Sequence, residues 1–199
     1  MVNSPAAVRP RIYLAGPEVF LPNATEIGRA KQQLCAEAGL EGVFPLDTQL
    51  DLTGLAKTEQ ARRIALGNEG LMRSCDAIIA NLTPFRGVSM DSGTAFEVGF
   101  MRALGRPVFG YTNAGAADYA ARARAWRQQD SRLPFDCDRP DQEIEDFGLA
   151  ENLMIAVAVS ETAGAVGQTG AGGDAVMAEL AAFKPCVEWA ARALCQYLP

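Results

Sequence analysis

With 199 residues, 49% of them hydrophobic and 21% charged, the chain suits one folded domain that buries a core without disulfides or a structural metal. Acidic residues outnumber basic ones, 24 to 18, and the formal charge of −6 disfavours a nucleic-acid polymer as partner. There is no histidine, so any general acid, base or nucleophile must be Asp, Glu, Lys, Tyr, Ser or Cys, and imidazole ligation of zinc or iron is excluded.

Cys35, Cys75, Cys137, Cys186 and Cys195 are odd in number and scattered without C-x-x-C spacing, which argues against a disulfide framework and a thiolate metal site. The acids do not follow a calcium-loop pattern, so no metal is expected. No apolar run reaches the roughly 20 residues of a membrane span. Residues 1–10 lack a signal-peptide core, and a cytoplasmic protein with no membrane association is expected.

Residues 1–10 read as a tail and 11–199 as a single α/β domain. Arg11 to Ala15 is a short apolar run stopped by Gly16-Pro17, a buried strand and a turn. A helical pattern follows from Ala24 to Ala38, closed by Gly39, and then a short strand from Gly42 to Phe44. Thr58 to Arg73 reads as a helix, Asp76 to Leu82 as the clearest strand, Ser92 to Leu104 as a helix ended by Gly105, and Pro107 to Tyr111 as a fourth strand. A fifth strand is expected somewhere between Asn113 and Phe147, with a helix over Ala116 to Trp126. Helices over Glu151 to Val159 and Asp174 to Tyr197, joined by a flexible glycine-rich linker from Gly164 to Gly173, complete the chain. This alternation predicts an α/β fold with a doubly wound, flavodoxin- or Rossmann-like parallel sheet of about five strands flanked by helices.

In such a sheet the ligand crevice lies outside the carboxyl ends of the strands, and one segment there carries unusual chemistry. Asp91 precedes Ser92, Gly93 and Thr94 as an N-cap would, and Gly93 lets a ligand approach the positive end of the helix. Glu97 shares its helix face with Gly93, Thr94, Phe100 and Met101, a small apolar setting for a carboxylate, and buried acids are scarce unless paired or used. The basic trio Arg122, Arg124 and Arg127 reads as a solvated helix face or a phosphate site. After the first strand, A-G-P-E-V-F has one glycine and a proline and lacks the dinucleotide fingerprint, so no cofactor is expected.

Five segments in order, I-Y-L-A-G-P-E-V-F (12–20), P-L-D-T-Q (45–49), D-A-I-I-A-N-L (76–82), D-S-G-T-A-F-E-V-G (91–99) and E-D-F-G-L-A-E-N-L-M (145–154), resemble the nucleoside 2-deoxyribosyltransferase family. The resemblance implies transfer of a 2-deoxyribosyl group between nucleobases through a covalent glycosyl-enzyme intermediate, with deoxynucleosides and free nucleobases as substrates. It implies Glu97 as nucleophile, Asp91 as the acid that binds substrate and handles the base's proton, and Tyr13 as the hydroxyl that reaches the nucleophile. Phe20 matches an aromatic near the base and Gln49 a base-contacting glutamine. Asn152 and Met154 match a pair donated by a neighbouring subunit, which implies a homo-oligomer with shared active sites. The family's further base-contacting aspartate falls at about Asn68, or at Glu69 with a slip of one residue, and an amide there leaves purine or pyrimidine preference open.

Taken as residues alone, Phe20 reads as core, Asn152 as a helix cap, Met154 as packing and Asp47 as a turn residue bonding its own backbone. Two competing functions share the architecture. One is an N-glycosidase of nucleoside 5′-monophosphates, for which Arg86, Ser89 and Ser92 would supply a phosphate pocket, with the phosphoribohydrolases of the G-G-x-G-T-x-x-E type a more distant version. The other is a non-catalytic nucleotide-sensing module.

Overall fold

The computed structural model describes residues 8–47, 50–115, 118–129, 142–162, 166–168, 170 and 176–195. Its centre is a five-stranded, all-parallel sheet built from β1 (Arg11–Ala15), β2 (Glu41–Val43), β3 (Ala77–Asn81), β4 (Val108–Thr112) and β5 (Val166–Gln168), in the order β2-β1-β3-β4-β5. Among the described residues six helices accompany it: α1 (Ala24–Glu37), α2 (Lys57–Arg73), α3 (Ser92–Ala103), α4 (Tyr119–Gln129), α5 (Leu153–Ser160) and α6 (Phe183–Cys195). Short 3-10 turns span Pro17–Phe20 and Pro45–Asp47.

Each of the three inner strands is buried on both faces, which is why it reads as a near-continuous apolar run without alternation. Ile12, Leu14, Ala77, Ile79, Phe109 and Tyr111 face one way, against Cys35 of α1 and Phe183, Cys186, Val187 and Ala190 of α6. Tyr13, Ala15, Ile78, Ala80 and Val108 face the other, against Met72 of α2, Val98 and Met101 of α3, and Ala158 and Val159 of α5. Burying each large aliphatic side chain in these two layers contributes about 1.5–3 kcal/mol. The register pairs Tyr13 with Ile78 and Val43, so the phenol springs from the middle of the sheet. The strand order reverses between β1 and β3, and in doubly wound sheets that switch point opens the ligand crevice.

The termini of α3 follow from local chemistry. Asp91 at the N-cap accepts from the Thr94 amide at 2.9 Å and its hydroxyl at 3.1 Å, satisfying a donor that the first helical turn leaves unpaired. Gly105 takes φ +70° just past the other end, a conformation that side-chain-bearing residues rarely adopt. Gly67 and Gly70 do not interrupt α2.

Three expectations from sequence are corrected. Among the described residues the fifth strand is not in the Asn113–Phe147 region but at Val166–Gln168, inside the stretch read as a flexible linker, where it pairs with Gly110–Thr112. The C-terminal helix starts at Phe183, not at Asp174, and Val176–Ala178 form a turn. The fourth helix starts at Tyr119, three residues later than expected. Among the described residues, no helix is long and apolar enough to cross a membrane.

Candidate active site

Glu97 sits in the second turn of α3, and Tyr13 reaches it from β1. The phenol hydroxyl donates to Glu97 Oε1 at 2.7 Å. Tyr13 is fully buried, and that burial, with the adjacent carboxylate, raises its phenol far above the ordinary value, so it stays a donor across the neutral range. Glu97 is pushed up to about 7 from an ordinary 4.5. Burial is the main cause and the Asp91 carboxylate a smaller one, while the Tyr13 hydrogen bond pulls the value down. Tyr13 is the third of five residues in β1, and the register of the sheet aims it at α3.

Further candidates lie on the loops at the carboxyl ends of β1 and β3. Phe20 is 55% exposed and therefore not the core residue that its composition suggested. Its ring stacks on Phe85 with centroids 5.5 Å apart and planes within 10° of parallel, and the Arg86 guanidinium lies over both rings. Arg86 has φ +56°, strained for a residue with a side chain. Gly93 is exposed at the first turn of α3, with only the Asp91 carboxylate close to where a Cβ would stand. Asn68 and Glu69 are both half-buried on α2, which packs against α3. Gln49 lies outside the described residues. Asp47 bonds its local backbone, accepting from the Phe44 amide at 2.8 Å, and also accepts from Gln32 of α1 at 2.7 Å.

The segment opening α5 is held by a second carboxylate. Glu151, 1% exposed, accepts from Ser89 Oγ at 2.5 Å, the Met90 amide at 3.2 Å, the Asn152 amide at 2.9 Å and Arg122 at 3.3 Å. Arg122 also bonds the carbonyls of Val88 and Ala150. The arginine trio is therefore not one solvated face: Arg122 is a half-buried clamp, while Arg124 pairs with Asp146 and Arg127 with the Gln142 carbonyl. Asn152 caps α5 by accepting from the Met154 amide and donates its side-chain amide to Glu145. Met154 is 72% exposed, so it does not pack in its own chain's core. No hydrogen bond joins either residue to Tyr13 or Glu97 within the chain, among the described residues.

A sequence model of the family described as Nucleoside 2-deoxyribosyltransferase matches residues 12–154. The chain belongs to that family. The matched stretch starts on β1 and ends at the first turn of α5, so it takes in Tyr13, Asp91, Glu97, Asn152 and Met154 and leaves out β5 and α6. A solved structure of a 2-desoxiribosyltransferase from Leishmania mexicana is 28% identical, with 90% of this chain and 97% of that one covered and a TM-score of 0.58. A conserved protein from Enterococcus faecalis shares the fold at 16% identity, with 93% and 99% covered and a TM-score of 0.53. A Schizosaccharomyces pombe protein described as uncharacterised is 41% identical over 122 residues, which are 60% of this chain and 57% of the yeast protein. The match thus spans a little over half the length of that relative.

For a nucleoside 2-deoxyribosyltransferase family member, the arrangement offers two carboxylates at one helix start, one of them half-desolvated and held by a phenol. A buried carboxylate with few competing water contacts is a stronger nucleophile toward carbon than a solvated one, provided that it is ionised. No group of three or more Asp, Glu or Cys among the described residues is placed to hold a metal ion. A cavity of about 520 Å³ lined by Arg9, Arg11, Gln32 and Glu41 opens at the amino ends of β1 and β2, away from these groups.

Sequence reasoning missed Glu151, Glu18 and Lys31. The last two carried a readable signal, because Lys31 falls in register with the buried Ala24, Ile27, Gly28 and Cys35 of α1. A lysine on an apolar stripe calls for a buried partner.

Proposed function

We propose that the protein transfers the 2-deoxyribosyl group of a deoxynucleoside to a second nucleobase by a retaining double displacement. The Glu97 carboxylate attacks the anomeric carbon as its bond to the base nitrogen breaks, and Asp91 handles the proton that the departing base gains. In the second half, the incoming base attacks the same carbon from the face the first base left, loses its proton to the Asp91 carboxyl system and frees Glu97. Tyr13 holds the attacking carboxylate in place and favours its ionised form, while Phe20 offers a face to the base. The observation that carries this reading is the 2.7 Å Tyr13–Glu97 hydrogen bond on a family motif at the sheet's switch point.

Hydrolysis of nucleoside 5′-monophosphates is the less favoured chemistry. Ser89, one of the hydroxyls available for a phosphate, already donates its proton to the buried carboxylate of Glu151.

The test is to incubate the protein with deoxyinosine and free thymine and separate the products. Thymidine formation is the expected result. Free hypoxanthine without thymidine, or faster consumption of a 5′-monophosphate than of the nucleoside, would sink the transfer reading. A 2-fluoro-2-deoxy nucleoside donor is expected to leave its sugar on Glu97, and peptide mapping that finds it elsewhere would refute the nucleophile assignment.

The chain's active sites are proposed to be shared within a homo-oligomer. Support comes from Met154, Val157, Phe96, Ile64 and Leu66, apolar side chains left exposed on α5, α3 and α2. Glu97→Ala and Asn152→Ala chains, each inactive alone, are expected to recover partial exchange activity when mixed, because one hybrid site receives an intact residue from each chain. Confirmed subunit exchange with no recovery would rule this out.

A further inference from the structure

The proposed reaction leaves one buried charge cluster unused. Glu18, in the turn after β1, and Lys31, on α1, are both fully buried, and Lys31 Nζ lies 2.5 Å from Glu18 Oε1. The same oxygen accepts from Asn81 Nδ2 at 2.9 Å and from the Tyr111 hydroxyl at 2.7 Å. Asn81 Oδ1 in turn accepts from the Thr83 amide at 3.0 Å and its hydroxyl at 2.5 Å, and Thr83 Oγ1 accepts from the Asn113 amide at 3.0 Å. The bonds form a continuous chain across the carboxyl ends of β1, β3 and β4.

Stability is a poor explanation for such a cluster. Desolvating two charges costs about as much as their attraction returns, and well-packed apolar replacements are often neutral or stabilising. Geometry gives a better one. Glu18 and Asn81 tie the loop after β1 to the loop after β3, and farther along each loop stands one ring of the Phe20–Phe85 stack, Phe20 exposed and Phe85 half-buried. Glu18 even depends on its neighbour for room: its second oxygen, unbonded among the described residues, lies where a Cβ on Gly16 would come within 1.9 Å.

We infer that Glu18 is a positioning residue for nucleobase binding: through Asn81 it sets the spacing and tilt of Phe20 and Phe85, the aromatic faces against which a planar base stacks. The inference deepens the transfer reading and uses its substrates. A stack is sensitive to such tilt because its attraction falls steeply once the faces part, and base–aromatic stacking is strong enough for its loss to change affinity tenfold or more.

The deciding variant is Glu18→Met/Lys31→Met, which removes both charges without leaving either one unpaired. It is expected to fold but to melt below the parent, because the buried Asn81 amide and Tyr111 hydroxyl lose their acceptor, with KM for the acceptor base raised about tenfold and kcat within about twofold. An unchanged KM in the folded variant would overturn the inference. Should the double variant not fold, Tyr111→Phe decides, since it deletes one donor and keeps the ring; KM is expected to rise about two- to threefold at constant kcat, and no change would overturn the inference. If the parent carries out no exchange, the transfer reading falls by itself. The same variants are then compared by the dissociation constant for free adenine and free thymine in equilibrium dialysis, where a weakened variant supports the positioning role and equal binding, or none by the parent, removes it.

Discussion

Glu97→Gln is expected to lower the exchange rate by at least about a thousandfold and, at the same time, to make the protein more stable at pH 8. The rate falls because an amide cannot form the glycosyl ester. The stability rises for a reason visible in the sign of the pKa shift. Burial raises Glu97 from 4.5 to about 7, so the folded protein binds its proton more tightly than the unfolded chain. Below about pH 4.5 both states are protonated and the group contributes nothing either way. Between there and about pH 7 stability falls with rising pH, and above it the charged, buried Glu97 costs roughly 3 kcal/mol. Glutamine carries no such charge. Denaturant unfolding of the two proteins is therefore expected to coincide near pH 4 and to diverge towards pH 8 in favour of the variant. A variant less stable than the parent at pH 8 would contradict a desolvated, ionised nucleophile.

Tyr13→Phe is expected to move the ascending limb of the pH–rate profile to higher pH by about one unit or more and to slow exchange about tenfold at pH 7. The hydroxyl donates to Glu97 and is the one influence that lowers its pKa, so removing it leaves burial and Asp91 to push upward unopposed. In the parent, kcat/KM is expected to climb through about pH 7 as Glu97 ionises. The deficit of the variant shrinks as pH rises, because alkali restores the ionised carboxylate without the phenol's help. A loss of equal size at every pH would mean that Tyr13 acts on the transition state or on substrate placement and not on the charge of Glu97.

How much of this is legible in the sequence varies with how local its cause is. The strand at Arg11–Ala15 and the helix from Ser92 could be read directly, because a buried run ended by Gly-Pro and an Asp cap followed by small residues declare themselves within a few positions. Glu97 stood out for the same reason. β5 did not: three residues in a glycine-rich stretch become a strand only because β4 offers them an edge, which no local pattern records. Phe20 taken alone read as core, since a large aromatic is more often buried than not, whereas the turn at Pro17 carries it out to the rim. Arg122 looked like one of three equivalent surface charges until Glu151, distant in sequence, was brought beneath it. Tyr13 shows the mixed case, its strand readable and its aim at α3 decided by pairing with Ile78.

The late position of β5 has a consequence for how the chain is made. β4 exposes a line of unpaired backbone donors and acceptors from Gly110 to Thr112 until Val166–Gln168 emerges from the ribosome, and α6, which seals the same end of the core, comes later still. For that interval the growing chain holds Glu97 and most of its sheet but carries an open strand edge, the kind that recruits other nascent chains. Slow translation beyond α5, or a stop before β5, is therefore expected to yield aggregates in place of a smaller folded domain.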